Sequence, residues 1–301
     1  MKHNLKITAI LLAMFLITQF IGLYVVNHYS TSEKGLPYGM ETPKIEKESD
    51  FYSIFPSLIV AFVIAIFLLI FLSKFKAEFI LKLWFFVVII IALGIALNAP
   101  LSFFKYSSLI ALLIAVPLAW EKIYGRNLLV HNATELLVYP GIASVFVPIL
   151  NVWTIIILLI LISIYDIWAV WHSGIMQKMA KYQIQKLNVF SGFFIPYASK
   201  KVREQIKNMK KTLSKKQLEK KRVKVNVAIL GGGDVIFPII TAGVMLRTFG
   251  LVSALFVIAG ATLGLTYLFF FAEKRKFYPA MPFISAGIFA GMILYWLISF
   301  I

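Results

Sequence analysis

Three of the thirteen acidic residues in this chain, Glu135, Asp166 and Asp234, stand inside long apolar runs, where a carboxylate is least expected. At the centre of a membrane helix such a group costs roughly 2.5–3.5 kcal/mol on insertion scales, so it normally faces a protein interior and serves a function. Asp166 lies seven residues before Ser173, and Asp234 lies eight residues after Asn226. If those two runs are consecutive antiparallel helices, a rise of about 1.5 Å per residue puts both acids about 10–12 Å from the same membrane surface. Two carboxylates that meet at one depth cannot both ionise cheaply, so the pair shares a proton near neutral pH. The ionised member can activate a water, and the protonated member can polarise a substrate carbonyl. No metal and no cofactor is required for that chemistry.

The neighbouring residues suit a site that admits a peptide backbone. Gly231, Gly232 and Gly233 immediately precede Asp234; glycines there permit close approach and weaken the helix locally, although small residues also serve plain helix packing. Further on, Phe277-Tyr-Pro279-Ala280-Met281-Pro282-Phe283 carries two prolines that cannot both sit in one continuous helix, which predicts an irregular stretch whose peptide groups could pair with an extended substrate. A proline-initiated helix is the simpler alternative. His131 and Glu135 share a helix face at nearly the depth of the aspartates, but two ligands do not make a metal site. A neutral Glu135 beside the cavity, or one paired with His131, is the expectation. The Asn132–Thr134 sequon falls within a span and is given no role.

Elements that could hold these residues follow from hydropathy. Apolar residues make up 60% of the chain and mean hydropathy is +0.87, more than the roughly 45–50% that fills a soluble core. Long uncharged runs without strand-like alternation predict an all-α, polytopic membrane protein. Nine spans are expected, at 5–26, 51–73, 79–98, 102–120, 128–149, 152–173, 226–247, 249–271 and 278–301. The run 128–173 is divided because it is twice the bilayer thickness, with Pro148 and Asn151 supplying the turn.

The net charge of +17 comes largely from 174–225, which holds fifteen of the thirty Lys and Arg residues. Aromatic residues do not interleave with that basic run, which argues against nucleic acid; anionic lipid headgroups are the expected partner. With alternating loops, one side carries 24 basic residues and the other five. The positive-inside rule then puts the N-terminus in the cytoplasm and the C-terminus outside a plasma membrane. Within the basic loop, Ile175–Leu187 is expected as a short interfacial helix, and Asn188–Ala198 as an apolar segment too short to span. The chain divides into 1–173, a bundle with the first acid; 174–225, the cytoplasmic loop; and 226–301, a unit with the second acid and the proline-rich stretch. There is no cysteine, so disulfides and thiol catalysis are excluded.

Ser163-Ile-Tyr165-Asp166, Leu230-Gly-Gly-Gly-Asp234 and Pro279-Ala280-Met281, in that order, resemble the motifs of the presenilin and signal peptide peptidase family, most closely those of its archaeal presenilin homologues. The resemblance implies a presenilin-like fold and cleavage of transmembrane protein substrates within the membrane by Asp166 and Asp234. It further implies a role beside the first acid for Tyr165, and a site shaped by Pro279 to Pro282. Met281 stands where the family has leucine, a change of similar volume. The expected topology favours the presenilin orientation, hence substrates whose N-terminus is outside. No obligatory partner subunit is expected, and oligomerisation stays open. Two rivals use similar residues: a leader peptidase of the prepilin or archaellin type, and a secondary transporter with carboxylates as proton carriers. No His-Glu-x-x-His or Gly-x-Ser-Gly sequence is present, which argues against zinc and serine mechanisms.

Overall fold

The computed structural model describes residues 5–31, 35–41, 45, 47–75, 78–125, 127–173, 191–197, 202, 226–273 and 278–300. Among them are nine helices long and apolar enough to cross a membrane. They are α1 (Leu5–Thr31), α2 (Glu48–Lys74), α3 (Glu78–Leu101), α4 (Ser107–Tyr124), α5 (Leu128–Phe146), α6 (Val152–Ile167), α7 (Gly232–Phe249), α8 (Leu251–Phe271) and α9 (Met281–Ile298). A single 3₁₀ turn, Val147–Ile149, follows α5, and a π-helical turn, Trp168–His172, extends α6. Two short strands, β1 (Gly192–Tyr197) and β2 (Asn226–Gly231), pair antiparallel, with Gly192 opposite Gly231.

The division between α5 and α6 is local chemistry. Asn151 caps α6 by accepting from the Thr154 amide at 2.8 Å, and the Thr154 hydroxyl accepts from the Asn151 amide at 2.8 Å, a complete capping box. Arg247, in the last turn of α7, donates to the carbonyls of Val147, Pro148 and Leu150. One guanidinium thereby satisfies carbonyls of the turn that follows α5.

The main core gathers α1, α5, α6, α7, α8 and α9, with Phe15, Leu159, Ile239, Leu265 and Ile288 fully buried. A second cluster joins α3 and α4 to α5 through Leu93, Ala115, Ala119 and Val138. Helix α5 serves both, because Val138 faces one cluster and Tyr139 and Ala143 face the other. In α7, 56% of the most apolar window is buried; in α2, none is. Lipid accounts for the apolar surface of α2, whose exposed Val63, Ile64 and Phe67 would otherwise be an unexplained patch.

Helices α8 and α9 meet through two Gly-x-x-x-Gly pairs, Gly260/Gly264 and Gly287/Gly291. A Cβ on Gly260 would fall on the Gly287 carbonyl, and one on Gly287 on the Gly260 carbonyl. Only backbone fits there, so van der Waals contact between main chains supplies what the hydrophobic effect cannot supply in lipid.

The structure adds to and corrects the sequence-based reading in these details. Residues 226–231 form a strand, not the first turns of a span, so α7 begins at Gly232. The described part of the apolar segment after Asn188 is strand β1, paired with those residues. Helix α4 begins at Ser107 rather than 102. The proline-rich stretch is irregular only to Ala280, because Pro282 lies in the first turn of α9, where a missing N–H costs nothing. The expected interfacial helix at 175–187 lies outside the described residues.

Candidate active site

Asp166 is the last residue but one of α6, 6% exposed, just ahead of the π turn. Single π turns inside helices occur often at functional sites. One oxygen, Oδ2, accepts the Met281 amide at 3.0 Å, and the amide of Ala280 also interacts with this carboxylate. The proline-rich stretch therefore meets Asp166 through backbone donors at the N-terminus of α9. Tyr165, by contrast, is 42% exposed and turns from the core toward Trp168. Pro279 and Met281 are buried, and Ala280 and Pro282 partly so. One turn before Asp166, the Ser163 hydroxyl donates to Ser285 at 3.0 Å, tying α6 to α9.

Asp234 stands in the first turn of α7 and is partly buried. Both carboxylates thus lie beside a helix N-terminus, Asp234 its own and Asp166 that of α9, where unsatisfied amides favour negative charge. Their relative level can be counted from the Arg247 clamp, which puts the end of α7 against the turn that starts α6. From Val152 to Asp166 is about 21 Å of helix, and from Arg247 back to Asp234 about 20 Å. With α6, α7 and α9 mutually packed, the two acids come to the same end of a three-helix unit.

The three glycines are not equivalent. A Cβ on Gly232 would lie 2.5 Å from Ser191 Oγ and 2.9 Å from Tyr139, whereas one on Gly233 would meet nothing nearer than 3.9 Å. Gly232 is needed because Tyr139, buried in α5, and the residue before β1 close over the start of α7. The Gly232 amide also donates to the Ser191 carbonyl at 3.3 Å. Gly231 ends β2, with Asp234 Oδ2 3.1 Å from where its Cβ would be. From α1, Gln19 reaches across to donate to the Val235 carbonyl at 3.0 Å.

Glu135 keeps the expected neighbour, His131, and has a closer partner as well. It is ion-paired at 2.7 Å with Lys122 of α4, both side chains being at most 3% exposed. His131 Nε2 lies 3.6 Å from the same carboxylate oxygen and donates to the Gly192 carbonyl at 2.9 Å. Asn132, given no role from sequence, bonds the backbone of Phe194. Lys122 is one of the 24 basic residues that the charge count places on the cytoplasmic side; the signal that could have found its role is that Glu135 inside the membrane demands a cation. Among the described residues, no group of three or more His, Asp or Glu side chains converges to hold a metal ion.

Comparison with known proteins agrees with this geometry. A structure of a presenilin family intramembrane aspartate protease, solved in a C222 space group, superposes with a TM-score of 0.60 at 18% identity, covering 97% of this chain and 99% of that one. A second such structure, in a P2 space group, gives 0.60 at 19% identity and 96% of each chain. No curated protein matches the sequence. The family model described as signal-peptide peptidase, presenilin aspartyl protease matches residues 12–301. The chain belongs to that family and is an intramembrane aspartyl protease.

Proposed function

We propose that Asp166 and Asp234 are the catalytic pair and that they hydrolyse peptide bonds of transmembrane substrates by activating water directly. The ionised carboxylate takes a proton from water as the water oxygen bonds to the scissile carbonyl carbon. The protonated carboxyl gives its proton to the carbonyl oxygen, which completes a tetrahedral diol. As that diol collapses and the C–N bond breaks, one hydroxyl returns its proton to the carboxylate that supplied it, and the leaving nitrogen takes the proton that water gave up. The observation that carries the reading is the matched level of the two acids, each beside a helix N-terminus that stabilises the single negative charge they share.

A helical substrate must unwind before its peptide bond is accessible. The sheet has two strands among the described residues, so β2 offers its far edge, next to Asp234, for an extended substrate to join. That edge takes the role expected from sequence of residues 277–283, whose Met281 amide is engaged by Asp166. The bias of 24 basic residues against five supports a cytoplasmic N-terminus, an extracellular C-terminus and a plasma-membrane location. Substrates would then have their N-terminus outside, the loop 174–225 would meet anionic headgroups, and no further subunit would be obligatory.

The test uses purified protein and a single-span substrate in detergent. Asp166→Ala and Asp234→Ala should each abolish cleavage, and an aspartyl transition-state analogue should inhibit the wild type. Continued cleavage by either variant would refute the pair.

A further inference from the structure

Four backbone groups of β1 point away from β2 and end on side chains of α5. The Gly192 amide donates to Glu135 Oε1 at 3.3 Å, and the Gly192 carbonyl accepts from His131 Nε2 at 2.9 Å. The Phe194 amide donates to Asn132 Oδ1 at 2.9 Å, and the Phe194 carbonyl accepts from Asn132 Nδ2 at 2.8 Å. In an antiparallel ladder, alternate residues turn their amide and carbonyl to the same side. Gly192 and Phe194 are alternate residues, and the next on that edge, Pro196, has no N–H to donate. A helix face thus stands in for a third strand, with the Asn132 carboxamide taking the part of a peptide group. Lys122 completes the arrangement by neutralising Glu135 at 2.7 Å and approaching His131 Nδ1 at 3.4 Å.

We infer that Lys122, His131, Asn132 and Glu135 form a positioning site that fixes strand β1 on α5 and, through it, sets the register of β2 relative to Asp234. The route is short. Gly192 pairs with Gly231, and the Gly232 amide bonds the Ser191 carbonyl, two residues before the acid. A one-residue slip of a strand would move every pairing and turn its side chains to the other face. The site closes one edge of the sheet and confines strand addition to the other. None of the four residues touches substrate; they act on where the cut falls. This rests on the proteolytic reading above.

The experiment uses the full chain in detergent with a single-span substrate and reads two things. Hydrogen exchange is followed by mass spectrometry over 191–197, and each cleavage product is identified by mass. Asn132→Ala should raise exchange of that segment about thirtyfold, the loss of two hydrogen bonds. It should also spread the cleavage position by one or more residues, with kcat falling more than KM rises. Asn132→Asp keeps the acceptor for the Phe194 amide and loses the donor to its carbonyl. It should fall between alanine and wild type, and it decides the matter if the alanine variant does not fold. A merely structural role would lower folded yield and total activity together, with product proportions unchanged; that result overturns the inference. So does unchanged exchange in both variants. Asp166→Asn separates the two failures: loss of cleavage with wild-type exchange shows the frame intact and tests the acids alone.

Discussion

The two aspartates are held by unlike surroundings. Around Asp234 the chain builds a frame: β1 and β2 precede it, Tyr139 and Ser191 close on Gly232, Gln19 holds the Val235 carbonyl, and α5 anchors β1. Asp166 has its backbone donors at the start of α9 and one serine pair a turn away, while Ile164, Tyr165 and Trp168 beside it are exposed. The difference teaches which side can adjust. Helix α7 sits in the middle of the bundle, so Asp234 is a fixed reference, and Asp166 is set against it by how α6 and α9 meet.

That contrast can be broken in order of expected effect. Lys122→Met leaves Glu135 charged and buried without its cation, a change worth about 3–5 kcal/mol. It should show as a large drop in thermal midpoint, with little folded protein recovered in detergent. Replacing both partners, as in Lys122→Met with Glu135→Gln, should recover most of that loss. Gly232→Ala and Gly287→Ala come next, each forcing a methyl group into occupied space at about 1–3 kcal/mol. The first should disturb the Asp234 frame and the second the α8–α9 contact that carries Met281. Gly233→Ala should leave the thermal midpoint unchanged; an equal loss at both glycines would show that the closeness at Gly232 does not matter. Smallest is Ser163→Ala, which removes one hydrogen bond worth about 1 kcal/mol. A double-mutant cycle with Ser285→Ala should give a coupling of that order, and no coupling would mean the pair does not help hold α6 to α9.

The spans and both acids were legible in the sequence, because hydropathy and an out-of-place charge are read within windows of about twenty residues. The two Gly-x-x-x-Gly repeats of α8 and α9 prompted no expectation from sequence, since such a repeat does not name its partner helix. Residues 226–231 misled for a physical reason. An apolar run ending in glycines suits either the start of a span or a buried strand, and hydropathy alone cannot separate them.

By itself, the sequence determined a helical membrane protein, with nine candidate spans among the described residues, since lipid admits few alternatives for such runs. Tertiary structure decided what each polar group is for: that Lys122 leaves the loop charges to neutralise Glu135, that Arg247 clamps a turn, and that Asn132 supports a strand. Those partners lie from thirteen to about a hundred positions apart along the chain. Their pairing is enforced by the cost of leaving a buried polar group unmatched, and that cost is set only once the helices have met.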